Sequence, residues 1–283
     1  MTVIEAIQLG SSRLENVGVE SPRLNAEMLV ADALDVRRLS LFLDSRRRLS
    51  AEQAAAFEAA LRRREAREPI QHILGTAEFF GRVFRVNRHV LVPRPETELL
   101  AEWALQTLDE SSRTEPAVLD FGTGSGCLAI TLALERKSAV VHAVDVSPEA
   151  LAVAKANAAS LGAGVAFHLG DGFTALPSGL LLDGIVSNPP YIPSAQIAGL
   201  DPEVRDHDPL LALDGGADGL GFYRRLAVAA PGRLKDGGWL AVEFGDGQGG
   251  DLLGIFGAAP WSGAEVRADD AGRGRMLRVF CRH

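Results

Sequence analysis

Apolar residues near the start recur at roughly helical spacing: Ile4, Ile7 and Leu14, then Leu24, Met28 and Leu29. Ser21 before Pro22 reads as an N-cap with proline at the first helical position, where its missing N–H costs nothing. Ser50 with Gln53 makes a capping-box pattern that opens an Ala-rich helix to about residue 68. No strand signal precedes Phe79, so residues 1–75 are expected to form a small helical domain. The period then changes. From Phe79 to Val86 the second half alternates apolar and polar, with Gly81 at a bend, which predicts a β-hairpin linker over 76–92. Pro93-Arg94-Pro95 forces extended backbone ahead of a helix over about 96–108.

Strand and helix alternate over the remainder, 93–283. Apolar strands are expected at 118–121, 140–144, 165–169, 183–186 and 239–244, with helices at 128–135, from Ser147-Pro148-Glu149 to about 160, and at 220–230. Near-continuous apolar strands joined through helices predict a parallel sheet covered on both faces. Residues 263–266 and 276–280 read as a terminal β-hairpin.

Composition narrows the class. The 283 residues are 47% hydrophobic and 23% charged, which excludes a mostly disordered chain. Cys127 and Cys281 are too few for a disulfide framework or a thiolate zinc site, and no metal is expected. The first residues lack a basic region followed by an apolar run, and no run reaches ~18 residues, so a cytoplasmic protein away from membranes is expected.

Net charge is −8, and it is uneven: residues 1–75 hold 11 Arg and 11 Asp+Glu, leaving the whole excess to 76–283. That balance argues against direct nucleic-acid binding, which usually calls for a basic surface. The runs Arg46-Arg47-Arg48 and Arg62-Arg63-Arg64 read either as a docking surface for an acidic or RNA-rich partner or as solvated helix faces balanced by Glu58, Glu65 and Glu68.

Candidate chemistry begins at Asp120-Phe121-Gly122-Thr123-Gly124-Ser125-Gly126, between the first strand of the alternating region and a helix. Such glycines let a ligand approach the backbone, and amides at the helix start would face it. The spacing is G-x-G-x-G, one residue shorter than the dinucleotide fingerprint. It resembles the loop of S-adenosylmethionine-dependent methyltransferases. Asp145 ends the next strand, 19 residues after Gly126, where a carboxylate can accept from both ribose hydroxyls or serve as a partner for the following helix dipole. Asp171 closes the third strand and can accept from an adenine amino group or simply turn the chain beside Gly170 and Gly172.

Asn188-Pro189-Pro190-Tyr191 ends the fourth strand. In open α/β sheets, ligands sit beyond the carboxyl ends of the strands, and the glycine loop, Asp145, Asp171 and this tetrapeptide all belong to that edge. Two prolines fix the loop and leave its carbonyls aimed outward. The Asn188 oxygen and the Pro189 carbonyl can accept both hydrogens of a planar NH2 group, with Tyr191 packed on its plane. An amide or aromatic NH2 is a poor nucleophile, and fixed acceptors align its lone pair for attack.

At nearly full length the chain resembles the HemK/PrmC family, protein-(glutamine-N5) methyltransferases acting on class I peptide chain release factors. The resemblance rests on Pro69-Ile70-Gln71-His72-Ile73-Leu74-Gly75, with His72 where Tyr is frequent, and on Val92-Pro93-Arg94-Pro95-Glu96-Thr97-Glu98. It continues through the glycine loop, Asn188-Pro189-Pro190-Tyr191-Ile192-Pro193 and the segment from Ala212 to Leu220.

The resemblance implies a class I methyltransferase fold, a doubly wound, mostly parallel seven-stranded sheet with a reversed last strand, behind the N-terminal helical domain. It implies S-adenosylmethionine as cofactor, with S-adenosylhomocysteine as product, and the Gly-Gly-Gln glutamine of a release factor as substrate. Cofactor contacts would come from Gly122, Thr123, Gly124, Ser125, Gly126, Asp145, Asp171, Gly172 and Asn188; Asn188, Pro189, Pro190 and Tyr191 would hold the substrate, with Asn188, Pro189 and Tyr191 catalytic. The helical domain would dock the release factor with the hairpin as hinge, the loop over 93–98 would help close the pocket, and the chain would act as a monomer. Gly172 departs from the family, where a bulky aromatic packs on adenine; either Phe173 replaces it or the ring is held more loosely. Amino-group methylation of adenine in DNA or RNA is the competing reading, since the same tetrapeptide can hold a flipped base. A noncatalytic cofactor-binding scaffold is a third, which the intact Asn188 motif disfavours.

Overall fold

The computed structural model describes all residues, Met1–His283, which divide into two compact units. The smaller comprises Met1–Thr76 with Asp201–His207, and the larger Ala77–Leu200 with Asp208–His283. In chain order the helices are α1 (Val3–Asn16), α2 (Pro22–Leu34), α3 (Ala51–Glu65), α4 (Ile70–Leu74), α5 (Pro95–Glu110), α6 (Cys127–Glu135), α7 (Pro148–Leu161), α8 (Pro202–Arg205), α9 (Leu210–Leu213), α10 (Gly221–Ala229) and α11 (Gly249–Ile255). The strands are β1 (Thr76–Phe79), β2 (Arg82–Arg85), β3 (Ala117–Phe121), β4 (Val140–Asp145), β5 (Val165–Leu169), β6 (Leu182–Ser187), β7 (Leu234–Glu243), β8 (Trp261–Ala268) and β9 (Gly274–Cys281).

The smaller unit is helical around a core that includes Leu14, Leu29, Val30, Phe57 and Leu61. The Ser50–Gln53 capping box forms, and a second one, Thr2 with Glu5, opens α1. Ser21 departs from expectation: its backbone is left-handed at φ 49° and its side chain caps nothing. Leu24 also departs, lying 42% exposed, while Asn25 and Glu27 of the same helix are buried. Each is buried because it has an arginine to meet. Arg64 Nε donates to Asn25 Oδ1 at 2.9 Å, and Arg38 donates to Glu27 at 2.9 Å. The second Arg run is fully paired, Arg62 with Glu58, Arg63 with Glu68 and Arg64 with Glu203. Glu203, on α8, also takes Arg67 at 2.7 Å. Burial alone would raise Glu203, but these guanidinium hydrogen bonds hold it down at about 2.

In the larger unit seven strands run in the order β5-β4-β3-β6-β7-β9-β8, and β9 alone runs opposite to the other six. All six residues of β6 are buried, as a central strand covered on both faces requires. One face carries α5 and α6 through Leu100, Trp103, Leu108, Leu128 and Ile130; the other carries α10 and α11 through Tyr223, Leu226, Leu252 and Phe256. The β1–β2 hairpin buries Phe79 and Phe84 in the first of these cores, so it is packed into the larger unit and not a freestanding linker. Strand order reverses between β3 and β6, which opens a crevice at their carboxyl ends. No helix is long and apolar enough to cross a membrane.

Candidate active site

A cavity of about 710 Å³ lies at that reversal, within the ~300–1,000 Å³ usual for small-molecule sites. The glycine loop forms its floor between β3 and α6. Most of the loop amides are engaged internally: Gly122 and Thr123 donate to Val144 O, Gly124 to Asp145 Oδ2 at 2.8 Å and Gly126 to Thr123 O. The loop is thus a rigid shelf, with four of its own amides turned inward ahead of the start of α6. Asp145 is fixed from both sides, since Ser147 N donates to its Oδ1 at 2.9 Å. Its remaining lone pairs are available to hydroxyl donors. Asp171 also lines the cavity, with its side chain 78% exposed and Arg225 3.8 Å away.

Asp120, at the end of β3, was not singled out from sequence. It is 1% exposed, accepts from Thr123 Oγ1 at 2.6 Å and from Ala129 N at 3.1 Å through one oxygen, and leaves Oδ1 without a partner. Burial pushes its carboxyl up to about 7. Phe173 does not become the cavity's aromatic wall. Its ring packs 4.8 Å from Phe121, and the aromatics that line the cavity are Phe121 and Phe222. Gly172 follows from this: a Cβ there would lie 2.5 Å from Phe121 Cζ.

The loop after β6 closes the other side. Asn188, Pro189 and Pro190 line the cavity, and Asn188 Nδ2 donates to Thr97 Oγ1 at 3.0 Å. Tyr191 does not line it. Its ring borders Gly245 and its hydroxyl approaches Glu243 Oε1 at 3.5 Å, with burial raising the phenol well above its usual range. The segment after α9 braces this loop from behind. Gly215 N donates to Ile192 O at 2.9 Å, and a Cβ on Gly219 would meet Tyr191 O at 2.2 Å. Close backbone approach is thus the reason for glycine there.

Comparison with known proteins follows the same division. Residues 5–75 match the PrmC N-terminal domain, and residues 97–199 match the methyltransferase small domain. The chain is 42% identical to the release factor glutamine methyltransferase of Geobacter sulfurreducens, covering 98% of this chain and 95% of that one. It is 44% identical to that of Cereibacter sphaeroides, with 98% of each covered. The chain belongs to the release factor glutamine methyltransferase family.

Solved structures agree on the fold: a methyltransferase from Pyrococcus furiosus aligns with a TM-score of 0.52 at 19% identity, over 72% of this chain and 90% of that one. The Thermus thermophilus 16S rRNA methyltransferase RsmC, solved with AdoMet and guanosine, aligns at 0.51 and 20% identity, over 73% and 50%.

S-adenosylmethionine is the cofactor on which this methyltransferase family depends, and the cavity's residues fit it. The unpartnered Asp120 oxygen suits a cationic ligand, and Cβ atoms at Gly122 or Gly124 would project into open space. Of the positions anticipated from sequence, Gly122, Thr123, Gly124, Ser125, Asp145, Asp171, Gly172, Asn188, Pro189 and Pro190 meet around one cavity; Gly126 and Tyr191 stand behind it. Thr97, Asp120, Phe222 and Glu243 were missed. Asp120 carried a signal as the acidic residue before the glycine loop, and Thr97 one only as part of the segment over 93–98 that the resemblance sets against the pocket.

Proposed function

We propose that this methyltransferase moves a methyl group from S-adenosylmethionine to the side-chain amide nitrogen of the glutamine in the Gly-Gly-Gln motif of class I release factors, in the cytoplasm. One observation carries the reading beyond family membership. Asn188 has its nitrogen tied to Thr97, so its oxygen is the end left to accept from a substrate NH2 beside the glycine loop. A second acceptor comes from the Pro189 carbonyl. Asp145 takes the ribose hydroxyls, and the site near Asp171 and Gly172 takes the adenine, against Phe121 and Phe222.

When bound, the cofactor supplies an electrophilic sulfonium methyl. The chain's part is alignment: the acceptors hold both N–H groups, favour a pyramidal nitrogen and direct its lone pair. No strong base is required at the start, since the amide proton leaves after the new C–N bond forms. The helical unit supports recognition of the whole release factor, consistent with the match over residues 5–75.

The test is transfer of labelled methyl from S-adenosylmethionine to purified release factor carrying Gln or Ala in the Gly-Gly-Gln motif. Label is expected on the Gln form alone. Label on both forms, or on nucleic acid only, would overturn the reading in favour of another acceptor. Asn188→Ala is expected to abolish transfer while cofactor affinity, read by calorimetry, stays within a few-fold of wild type.

A further inference from the structure

The Asn188 amide can sit either way round, and only one way presents an acceptor to a substrate NH2. We propose that Thr97 and Glu243 are positioning residues that fix this orientation. The proposal rests on Asn188 being the acceptor described above.

Thr97 and Glu243 come from opposite ends of the larger unit's chain, the first turn of α5 and the last residue of β7. Asn188 Nδ2 donates to Thr97 Oγ1 at 3.0 Å, and Thr97 Oγ1 donates to Glu243 Oε2 at 2.7 Å. Both residues are 2% exposed, so bulk water does not compete. A carboxylate only accepts, and a hydroxyl has one proton to give. With that proton held by Glu243, Thr97 offers Asn188 nothing but lone pairs. A reversed amide would set its oxygen against another acceptor in a dry interior, where an unmade hydrogen bond is costly. The order carboxylate, hydroxyl, amide therefore runs in one direction, and its open end is the Asn188 oxygen.

The groups facing Glu243 are Glu96 and Thr97 from α5, Arg275 from β9, the Tyr191 hydroxyl, the Cys127 thiol of α6 and the Tyr223 phenol of α10. Tyr223 of α10 donates to the Glu243 backbone carbonyl at 2.8 Å and anchors the strand end. Burial, reinforced by Glu96, pushes the Glu243 carboxyl up to about 7 against the pull of Thr97, Arg275 and Tyr191. Once protonated, Glu243 can donate to Thr97, whose own proton then turns toward Asn188 and permits the reversed amide.

The experiment measures kcat with cofactor and release factor both saturating, alongside cofactor Kd and thermal melting. Thr97→Val removes the hydroxyl at nearly constant volume and is expected to lower kcat roughly 100-fold with Kd unchanged. Thr97→Ser restores the hydroxyl and is expected to recover most of that loss. Wild-type kcat is expected to fall as pH drops through about 7. Glu243→Gln, which does not titrate, should lack that acid limb, and this profile decides the matter should Thr97→Val fail to fold. Wild-type kcat in Thr97→Val, no rescue by serine in a folded protein, or an acid limb that survives in Glu243→Gln would each overturn the proposal. Full activity in Asn188→Ala would instead remove the acceptor reading itself, so the two failures are distinguishable.

Discussion

Asp120 places a carboxyl group in a nearly dry position at the floor of the cavity. Its folded value near 7 lies above the ~3.9 of an unfolded chain. The stability it contributes is therefore full below about pH 4 and lost as pH rises through about 7. Asp120→Asn keeps an oxygen for Thr123 and Ala129 and removes the titration. It is expected to melt higher than wild type above about pH 8, with little difference below about pH 4. Cofactor affinity is expected to fall, because a neutral amide then stands beside a cationic ligand. A variant that melts lower in alkali would refute the assignment. At this scale the sequence was most readable where covalent geometry leaves few options. The glycine loop, Asp145 and Asn188-Pro189-Pro190 announce themselves by residue type and place. Glu243 did not, since a glutamate ending a strand is ordinary alone, and Thr97 was legible only as part of the segment over 93–98, not by its own role. Their meaning lies in a hydrogen bond across 146 positions. Phe222 was hidden similarly, and Phe173, one of two alternatives the sequence left open for the adenine, packs on Phe121 and does not line the cavity.

Strands β3, β4, β6 and β7 were legible because each holds a buried apolar run, β5 from its apolar composition although none of its residues is fully buried, and α7 because Ser147 caps it with a hydrogen bond from Ala150 N at 3.0 Å. Four-residue helices such as α8 and α9 were not, because so few turns cannot display a period. The apolar stripe of α2 misled for a different reason: buried Asn25 and Glu27 interrupt it, and only their arginine partners explain their place. The β1–β2 hairpin is joined to the glycine loop through one side chain. Asn157, fully buried on α7, donates to Arg85 O at 3.0 Å and Ser125 O at 2.9 Å and accepts from Arg85 N at 2.8 Å. Asn157→Ala strands those backbone groups and is expected to cost about 1–3 kcal/mol in denaturant unfolding. Cofactor binding should weaken with it, because Ser125 sits in the cavity wall. Unchanged unfolding would show that water replaces the amide.

For the whole molecule, the uneven charge noted in the sequence falls on a real division, although the smaller unit also takes in Asp201–His207. Removing residues 1–75 is expected to impair methyl transfer to an intact release factor more than to a short Gly-Gly-Gln peptide, measured as kcat/KM. Equal losses on both substrates would remove the helical unit from recognition. The borrowed segment also has a consequence for synthesis. Arg64 and Arg67 leave the ribosome long before Glu203, and the chain between Thr76 and Asp201 must be made first. At ~5–20 residues per second that is a delay on the order of 10 s. During this interval the helices made first carry two guanidinium groups whose carboxylate does not yet exist, so the N-terminal unit of a nascent chain cannot finish folding before most of the enzyme has been translated.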